Sequence, residues 1–155
     1  RHTLRAFQGV EHRLEFVREL RGVKYYNSSI DSSPNRTIHT LSVFRENVVL
    51  IAGGKDKNIP YDALGPAICG KVKTLILVGP TSDKIEAAVR AADSSQKDMI
   101  KIYHFKNYAD AVKCAYENSV PGDTVLLSPA STSFDLFRNF EERGDVFKSL
   151  VRALE

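Results

Sequence analysis

Apolar positions along this chain fall into two alternating rhythms. A short continuous run at Val48–Ala52 stops at Gly53-Gly54, the pattern of a buried strand of a parallel sheet, and Val72–Val78, ending at Gly79-Pro80, and Thr124–Leu127 predict further strands. Between them the apolar residues return at helical spacing. Pro34, following Ser32-Ser33, opens a helix carrying Ile38, Leu41 and Val43-Phe44, and Tyr61–Cys69 predicts a short second one. Ser82–Ala92 predicts a helix opened by Ser/Asp caps, Ile100–Phe105 a strand, and Tyr108–Asn118 a helix with Ala111, Val112 and Ala115 on one face. Phe137–Leu154 predicts a closing helical segment, interrupted near Gly144. Upstream, Glu15–Leu20 and Val23–Asn27 alternate weakly around Arg21-Gly22 and predict a hairpin.

Strands that alternate with helices in this way predict an α/β fold. It should be Rossmann-like, a mostly parallel doubly wound sheet with an N-terminal hairpin and helices on both faces. At 155 residues the chain fits one domain, 1–155, with no internal linker.

Composition narrows the function class. A net charge of +3 with no Lys/Arg run argues against a nucleic-acid partner. Cys69 and Cys114 are too few for a disulfide framework and have no metal-site spacing. No apolar run reaches transmembrane length and nothing resembles a signal peptide, so a cytoplasmic protein with no membrane partner is expected. The single methionine is Met99, which suggests a piece of a longer protein.

The fold prediction brings four strand ends to one edge: Asn27–Pro34 (NSSIDSSP), Gly53–Asn58 (GGKDKN), Gly79–Lys84 (GPTSDK) and Ser128–Ser133 (SPASTS). Ligands bind open α/β sheets beyond the carboxyl ends of the strands, and small or hydroxyl residues let backbone approach an anion. Such loops are also Gly- and Ser-rich for turns and caps alone, so their agreement counts for more than any one of them. Neither a G-x-x-x-x-G-K-[ST] P-loop nor a G-x-G-x-x-G fingerprint occurs, so nucleotide phosphates would be cradled outside these residues. Lys57 lies where an ammonium could reach an anion, with Lys55 as a solvated neighbour. His12-Arg13 reads as a surface pair with a possible phosphate role for the guanidinium. His2, His39 and His104 have no spacing for a metal or a relay, and no Ser/His/Asp arrangement is defensible. Among Phe134, Phe137, Phe140 and Phe147, mostly helical core by pattern, Phe134 is the one expected to face a ligand.

Five motifs occur in order: F-x-G-x-x-H-R (Phe7 to Arg13), N-x-S-x-x-S-x-P (Asn27 to Pro34), I-x-G-G-x-D-K (Ile51 to Lys57), G-D-x-V-L-L-S-P-A (Gly122 to Ala130) and S-F-D-x-F-x-N-F-E-x-R-G (Ser133 to Gly144). Together they resemble the C-terminal domain of the Mur ligases, most closely the member that adds D-glutamate. The resemblance implies a three-domain enzyme with a UDP-sugar domain, a central ATPase and this amino-acid-binding domain. It implies that ATP converts the carboxylate of UDP-N-acetylmuramoyl-L-alanine to an acyl phosphate, which D-glutamate attacks, in a monomer making peptidoglycan precursor. ATP and Mg²⁺ would be bound mainly by the central domain, and no catalytic residue or metal ligand is expected in this fragment, which alone should be inactive.

By the same resemblance, Ser32, Lys57, Ser133, Phe134 and Phe140 would bind D-glutamate, and His12, Arg13, Asn27, Ser28 and Asp31 would contact ATP. The chain has Ser28 and Ile30 where many relatives read N-D-S-K, which makes Asp31 the candidate carboxylate of that loop. Two other readings are a non-catalytic Rossmann-like module binding an amino acid or nucleotide, and a folylpolyglutamate synthase-like domain.

Overall fold

A computed structural model describes residues 9–92 and 97–155. Phe7, the first residue of the opening motif, and His2 lie outside the described residues. In chain order the elements are β1 (Glu15–Leu20), β2 (Val23–Asn27), α1 (Pro34–Leu41), β3 (Val48–Ala52), α2 (Leu64–Lys71), β4 (Val72–Val78), α3 (Ser82–Ala91), β5 (Lys101–Phe105), α4 (Tyr108–Glu117), β6 (Thr124–Leu127) and α5 (Phe140–Arg152). The sheet order is β1-β2-β6-β3-β4-β5, with β1 antiparallel to β2 and every other pairing parallel.

The continuous apolar runs are explained by cover on both sides. Along β3, Val48, Leu50 and Ala52 join the core beneath α1, α2 and α3, whereas Val49 and Ile51 join the core beneath α4 and α5. In β6, Leu126 faces the first layer and Val125 and Leu127 the second. Every side chain of β3 is therefore buried, with about 1.5–3 kcal/mol of transfer free energy for each large aliphatic. β6 lies between β2 and β3, but its following helix leaves for the opposite face, so the direction of winding switches among these three strands.

Two helices differ from the sequence reading. α2 begins at Leu64 rather than Tyr61, because Tyr61–Ala63 form a turn and the Tyr61 hydroxyl is drawn to Ser131 Oγ at 2.9 Å. α5 begins at Phe140, not Phe137, and runs unbroken through Gly144. Its start is fixed by Asn139, whose side chain accepts from the Glu142 N–H at 2.8 Å while Glu142 Oε1 accepts from the Arg138 N–H at 2.8 Å. Gly144 is a contact residue rather than a break: a Cβ there would stand 2.2 Å from His12 Nδ1. At the far end of α5, Arg18 Nη1 from β1 lies 3.1–3.2 Å from the carbonyls of Val151, Arg152 and Leu154, capping the helix with a cation. Among the described residues no helix is long and apolar enough to cross a membrane.

Candidate functional site

The four strand-end loops meet in one hydrogen-bonded knot. Gly53 N–H donates to Pro129 O at 2.8 Å, Lys55 N–H to Thr132 O at 3.0 Å and Ala130 N–H to Asp31 O at 2.9 Å. Thr81 closes the fourth side. Its Oγ1 accepts from Gly54 N–H at 3.0 Å and lies 2.8 Å from Ser131 Oγ. The side chain is thus spent on the knot, and α3 has no side-chain cap where Ser/Asp caps were expected. Glycine is required at the centre: Gly53 has φ +111 and a Cβ on it would stand 2.1 Å from Val78 O.

Beneath the knot sits Arg143, from the first turn of α5 and only 1% exposed. Its Nε donates to Ser29 Oγ at 2.9 Å, Nη2 to Ser29 O at 2.7 Å and Nη1 to Ser131 O at 2.8 Å; Ser32 Oγ is 3.5 Å from Nη2. Ser29 Oγ in turn donates to Phe140 O at 2.7 Å. Burial holds the Arg143 pKa below its ordinary value, opposed by the charges of Tyr108, Asp135 and Asp31.

The residues tied by resemblance to D-glutamate stand around this knot with donors unspent. Ser133 is buried at the mouth of the loop, and its carbonyl accepts from the N–H groups of Leu136 and Phe137. Its hydroxyl has no partner among the described residues, nor has the N–H of Phe140 at the start of α5. Lys57 is exposed beyond the glycine turn and makes no ion pair among the described residues, whereas the neighbouring Asp56 is engaged by Lys84 at 2.9 Å. Phe134 is 57% exposed. Asp135, half-buried beside Gly79, has its carboxyl pushed above the ordinary range by burial, which nearby N–H groups, Arg143 and Lys55 offset only in part.

The residues tied to ATP separate. Arg13 is exposed and lines a cleft of about 470 Å³ with Asp31, Ser33, Arg36 and His39. His12 is buried, so the surface pair of the sequence reading is a surface Arg13 alone. Asn27 Nδ2 donates to His12 Nδ1 at 3.0 Å and to Glu15 Oε1 at 3.0 Å, while Asn27 Oδ1 accepts from Ser29 N–H at 3.1 Å. That orientation of the amide makes His12 Nδ1 an acceptor, which places the ring proton on Nε2. Ser28 Oγ accepts from the Leu14 N–H at 3.1 Å. Asp31 Oδ2 accepts from Ser128 Oγ and Thr40 Oγ1, both at 2.7 Å, and its Oδ1 is 4.0 Å from Arg36 Nε. Asn27, Ser28 and Asp31 are thus all buried structural partners of the loop.

Two groups have metal-like geometry. Glu11, His12 and Asp145 converge, but the Lys148 ammonium already lies 3.0 Å from Glu11 and 3.7 Å from Asp145, so a cation occupies that place. Asp83, Glu86 and His104 cluster on the α3–β5 flank, where Glu86 is taken by His104 at 2.6 Å and Arg90 at 2.8 Å. Neither fits Mg²⁺, which prefers free carboxylate and water oxygens.

Hydroxyls, N–H groups and an exposed lysine thus gather at the carboxyl edge of a mostly parallel α/β sheet. The chain belongs to the Mur ligase, glutamate ligase domain family, whose profile matches residues 12–131. It is 56% identical over 153 residues to the UDP-N-acetylmuramoylalanine–D-glutamate ligase of Ruminiclostridium cellulolyticum, covering 97% of this chain and 33% of that protein. The enzyme of the same name from Acetivibrio thermocellus is 54% identical over 157 residues, covering 100% and 34%. The chain thus spans about a third of the length of the curated relatives it matches. Two solved structures share the fold: a murein peptide ligase mpl from Psychrobacter arcticus (TM-score 0.63, 14% identity, covering 99% of this chain and 32% of that one) and MurF ligase from Thermotoga maritima in complex with ADP (TM-score 0.56, 17% identity, covering 94% and 33%).

Arg143, Ser29, Ser131 and Thr81 went unassigned in the sequence. The signal for Arg143 was its place on the buried stripe of α5, beside Gly144 and one turn before Phe147 and Lys148.

Proposed function

We propose that this chain is the D-glutamate-binding domain of a three-domain, ATP-dependent ligase that joins D-glutamate to UDP-N-acetylmuramoyl-L-alanine. The observation that carries this reading is the set of unspent donors on the knot: the Ser133 hydroxyl, the Phe140 N–H and the Lys57 ammonium, with Ser32 beside Arg143. A dicarboxylate needs two separate donor groups, and this edge supplies them on different loops. Lys57 would neutralise one carboxylate, while Ser133 and the N–H groups at the start of α5 hold the other, assisted by the helix dipole. The names of the relatives support glutamate as the amino acid.

In the reaction, phosphoryl transfer from ATP makes the acyl phosphate. The amine of the bound D-glutamate then attacks the acyl carbon, the carbon–oxygen bond to phosphate breaks with its electron pair, and the amine loses a proton. This chain's part is to hold the amino acid by its carboxylates so that the amine is presented. The Arg13 cleft, with Arg36 and His39, suits the nucleotide's phosphates, while His12, Asn27, Ser28 and Asp31 hold the loop that shapes it. Among the described residues no group fits Mg²⁺. Substrates that are nucleotides and nucleotide sugars fit a cytoplasmic enzyme.

The test is an ADP-release assay on the full-length protein. Turnover should require UDP-N-acetylmuramoyl-L-alanine and D-glutamate together, with L-glutamate a poor substitute. ADP release at the same rate without D-glutamate, or a preference for a different amino acid, would refute the reading.

A further inference from the structure

The two buried cations of α5 are treated in opposite ways. Lys148 is 5% exposed and faces three carboxylates, Glu11 at 3.0 Å, Glu15 at 3.2 Å and Asp145 at 3.7 Å. Arg143, one turn nearer the cleft and the only buried arginine among the described residues, has neutral partners alone: a serine hydroxyl, two backbone carbonyls and the more distant Ser32. A buried charge is costly unless an opposite charge compensates it. Of the carboxylates whose charge reaches it, Asp135 and Asp31, neither forms an ion pair with it among the described residues, and Asp31 already serves two hydroxyls.

The guanidinium also hydrogen-bonds two loops and lies beside a third. It binds the Asn27–Pro34 loop through Ser29 and the Ser128–Ser133 loop through Ser131, and a Cβ on Gly54 would lie 3.5 Å from Nη1. Its own helix begins at Phe140, whose carbonyl is tied to the same Ser29 hydroxyl. Ser32, Ser133 and Phe140, the groups assigned above to the amino acid, are therefore set in place by one side chain.

We propose that Arg143 is the positioning residue of the amino-acid site: it clamps two strand-end loops against the start of α5, which together carry the donors, and its charge, paired with no carboxylate in contact among the described residues, draws a carboxylate of the substrate toward them. This rests on the D-glutamate reading. It separates Arg143 from a purely structural clamp, whose loss would weaken every ligand alike.

The experiment is steady-state kinetics on the full-length protein with Arg143→Met, Arg143→Lys, Ser29→Ala and, as control, Lys57→Ala. Arg143→Met should raise KM for D-glutamate at least about tenfold and leave KM for ATP within about twofold. Arg143→Lys, which keeps the charge but loses the fork, should recover part of the loss, with a KM for D-glutamate between those of the parent and the methionine variant. Should the Arg143 variants not fold, Ser29→Ala removes one anchor and should raise KM for D-glutamate about threefold, again sparing ATP. Equal shifts for both substrates, a lysine variant no better than methionine, or a fall in kcat with KM unchanged would overturn the proposal. If Lys57→Ala leaves KM for D-glutamate unchanged, the site itself is wrong. If that control moves it and the Arg143 and Ser29 variants do not, only the role of Arg143 fails.

Discussion

The His12 imidazole occupies the space that a side chain on Gly144 would need, with Nδ1 2.2 Å from the position of a Cβ. In a helix interior alanine is favoured over glycine by about 1 kcal/mol, so propensity alone predicts that Gly144→Ala stabilises. Overpacking against a buried ring costs about 1–3 kcal/mol, and here the ring is held by Asn27 and flanked by Phe140 at 6.0 Å. Packing wins. Gly144→Ala should lower the melting temperature in a thermal scan, and an increase would show that His12 moves aside freely.

The Lys148 cluster sets a pH window. Burial pushes the Lys148 pKa down, but the hydrogen bonds and charges of Glu11 and Glu15 outweigh it, leaving the group above its ordinary 10.5. For Glu15, burial pushes upward, but the His12 N–H, Asn27 and Lys148 outweigh it and leave the carboxyl below its ordinary 4.5. A raised lysine contributes stability that is lost as pH rises through its folded pKa; a lowered glutamate contributes stability that is lost as pH falls through its folded pKa. The cluster is therefore strongest between those two limits. Lys148→Met strands Glu15 and should cost about 3 kcal/mol in urea unfolding at pH 7. The penalty should shrink at a pH below the ordinary value of Glu15; a penalty independent of pH would mean lost packing rather than lost charge.

Asp135 has the opposite sign. Its folded pKa is raised by burial, so it adds stability only below the ordinary 3.8 and loses that contribution as pH rises through the folded value. Asp135→Asn should stabilise the protein at neutral pH by no more than about 1 kcal/mol, since the half-exposed group is partly screened by solvent. The gap should close under acid conditions. Destabilisation by the amide at pH 7 would show that the carboxylate holds the Ser133–Asn139 loop.

Lys57 and Lys55 are both exposed, but the backbone of Lys55 is paired with Thr132 while Lys57 lies beyond the glycine turn with no ion pair among the described residues. In the full-length protein, Lys57→Ala should raise KM for D-glutamate at least about tenfold, leave KM for ATP within a few-fold, and exceed the effect of Lys55→Ala. Matching small effects in both variants would make the two lysines ordinary surface charges.

Strand positions were legible in the sequence because a strand covered on both faces must be apolar throughout. Val48–Ala52 admits few other readings, and in Val72–Val78 the run Leu75–Val78 carries the same signal after Lys73 and Thr74. Helix starts were less legible. Phe137 fits the apolar period of α5 but belongs to the turn before it, packed edge-on to Tyr108 at 5.3 Å, because Asn139 and Glu142 fix the first helical residue. Motif order picked out the loops of the candidate site without indicating which way their side chains point. Asp31 and Ser28 look like ligand groups in a string of hydroxyls, yet the fold turns both inward. Arg143 was hidden for the reverse reason: within Phe-Glu-Glu-Arg-Gly it reads as one more solvated charge, and only the three-dimensional stripe places it under the cleft.

Helix α5 joins distant parts of the molecule end to end. Its first turn carries Phe140 and Arg143 into the loops, and its last turn is gripped by Arg18 of the outermost strand. Twelve residue steps at 1.5 Å each make it a stiff strut about 18 Å long. The outer hairpin and the strand-end loops are thereby tied to opposite ends of one rigid rod, so neither can shift along its axis without straining the hydrogen bonds of the other.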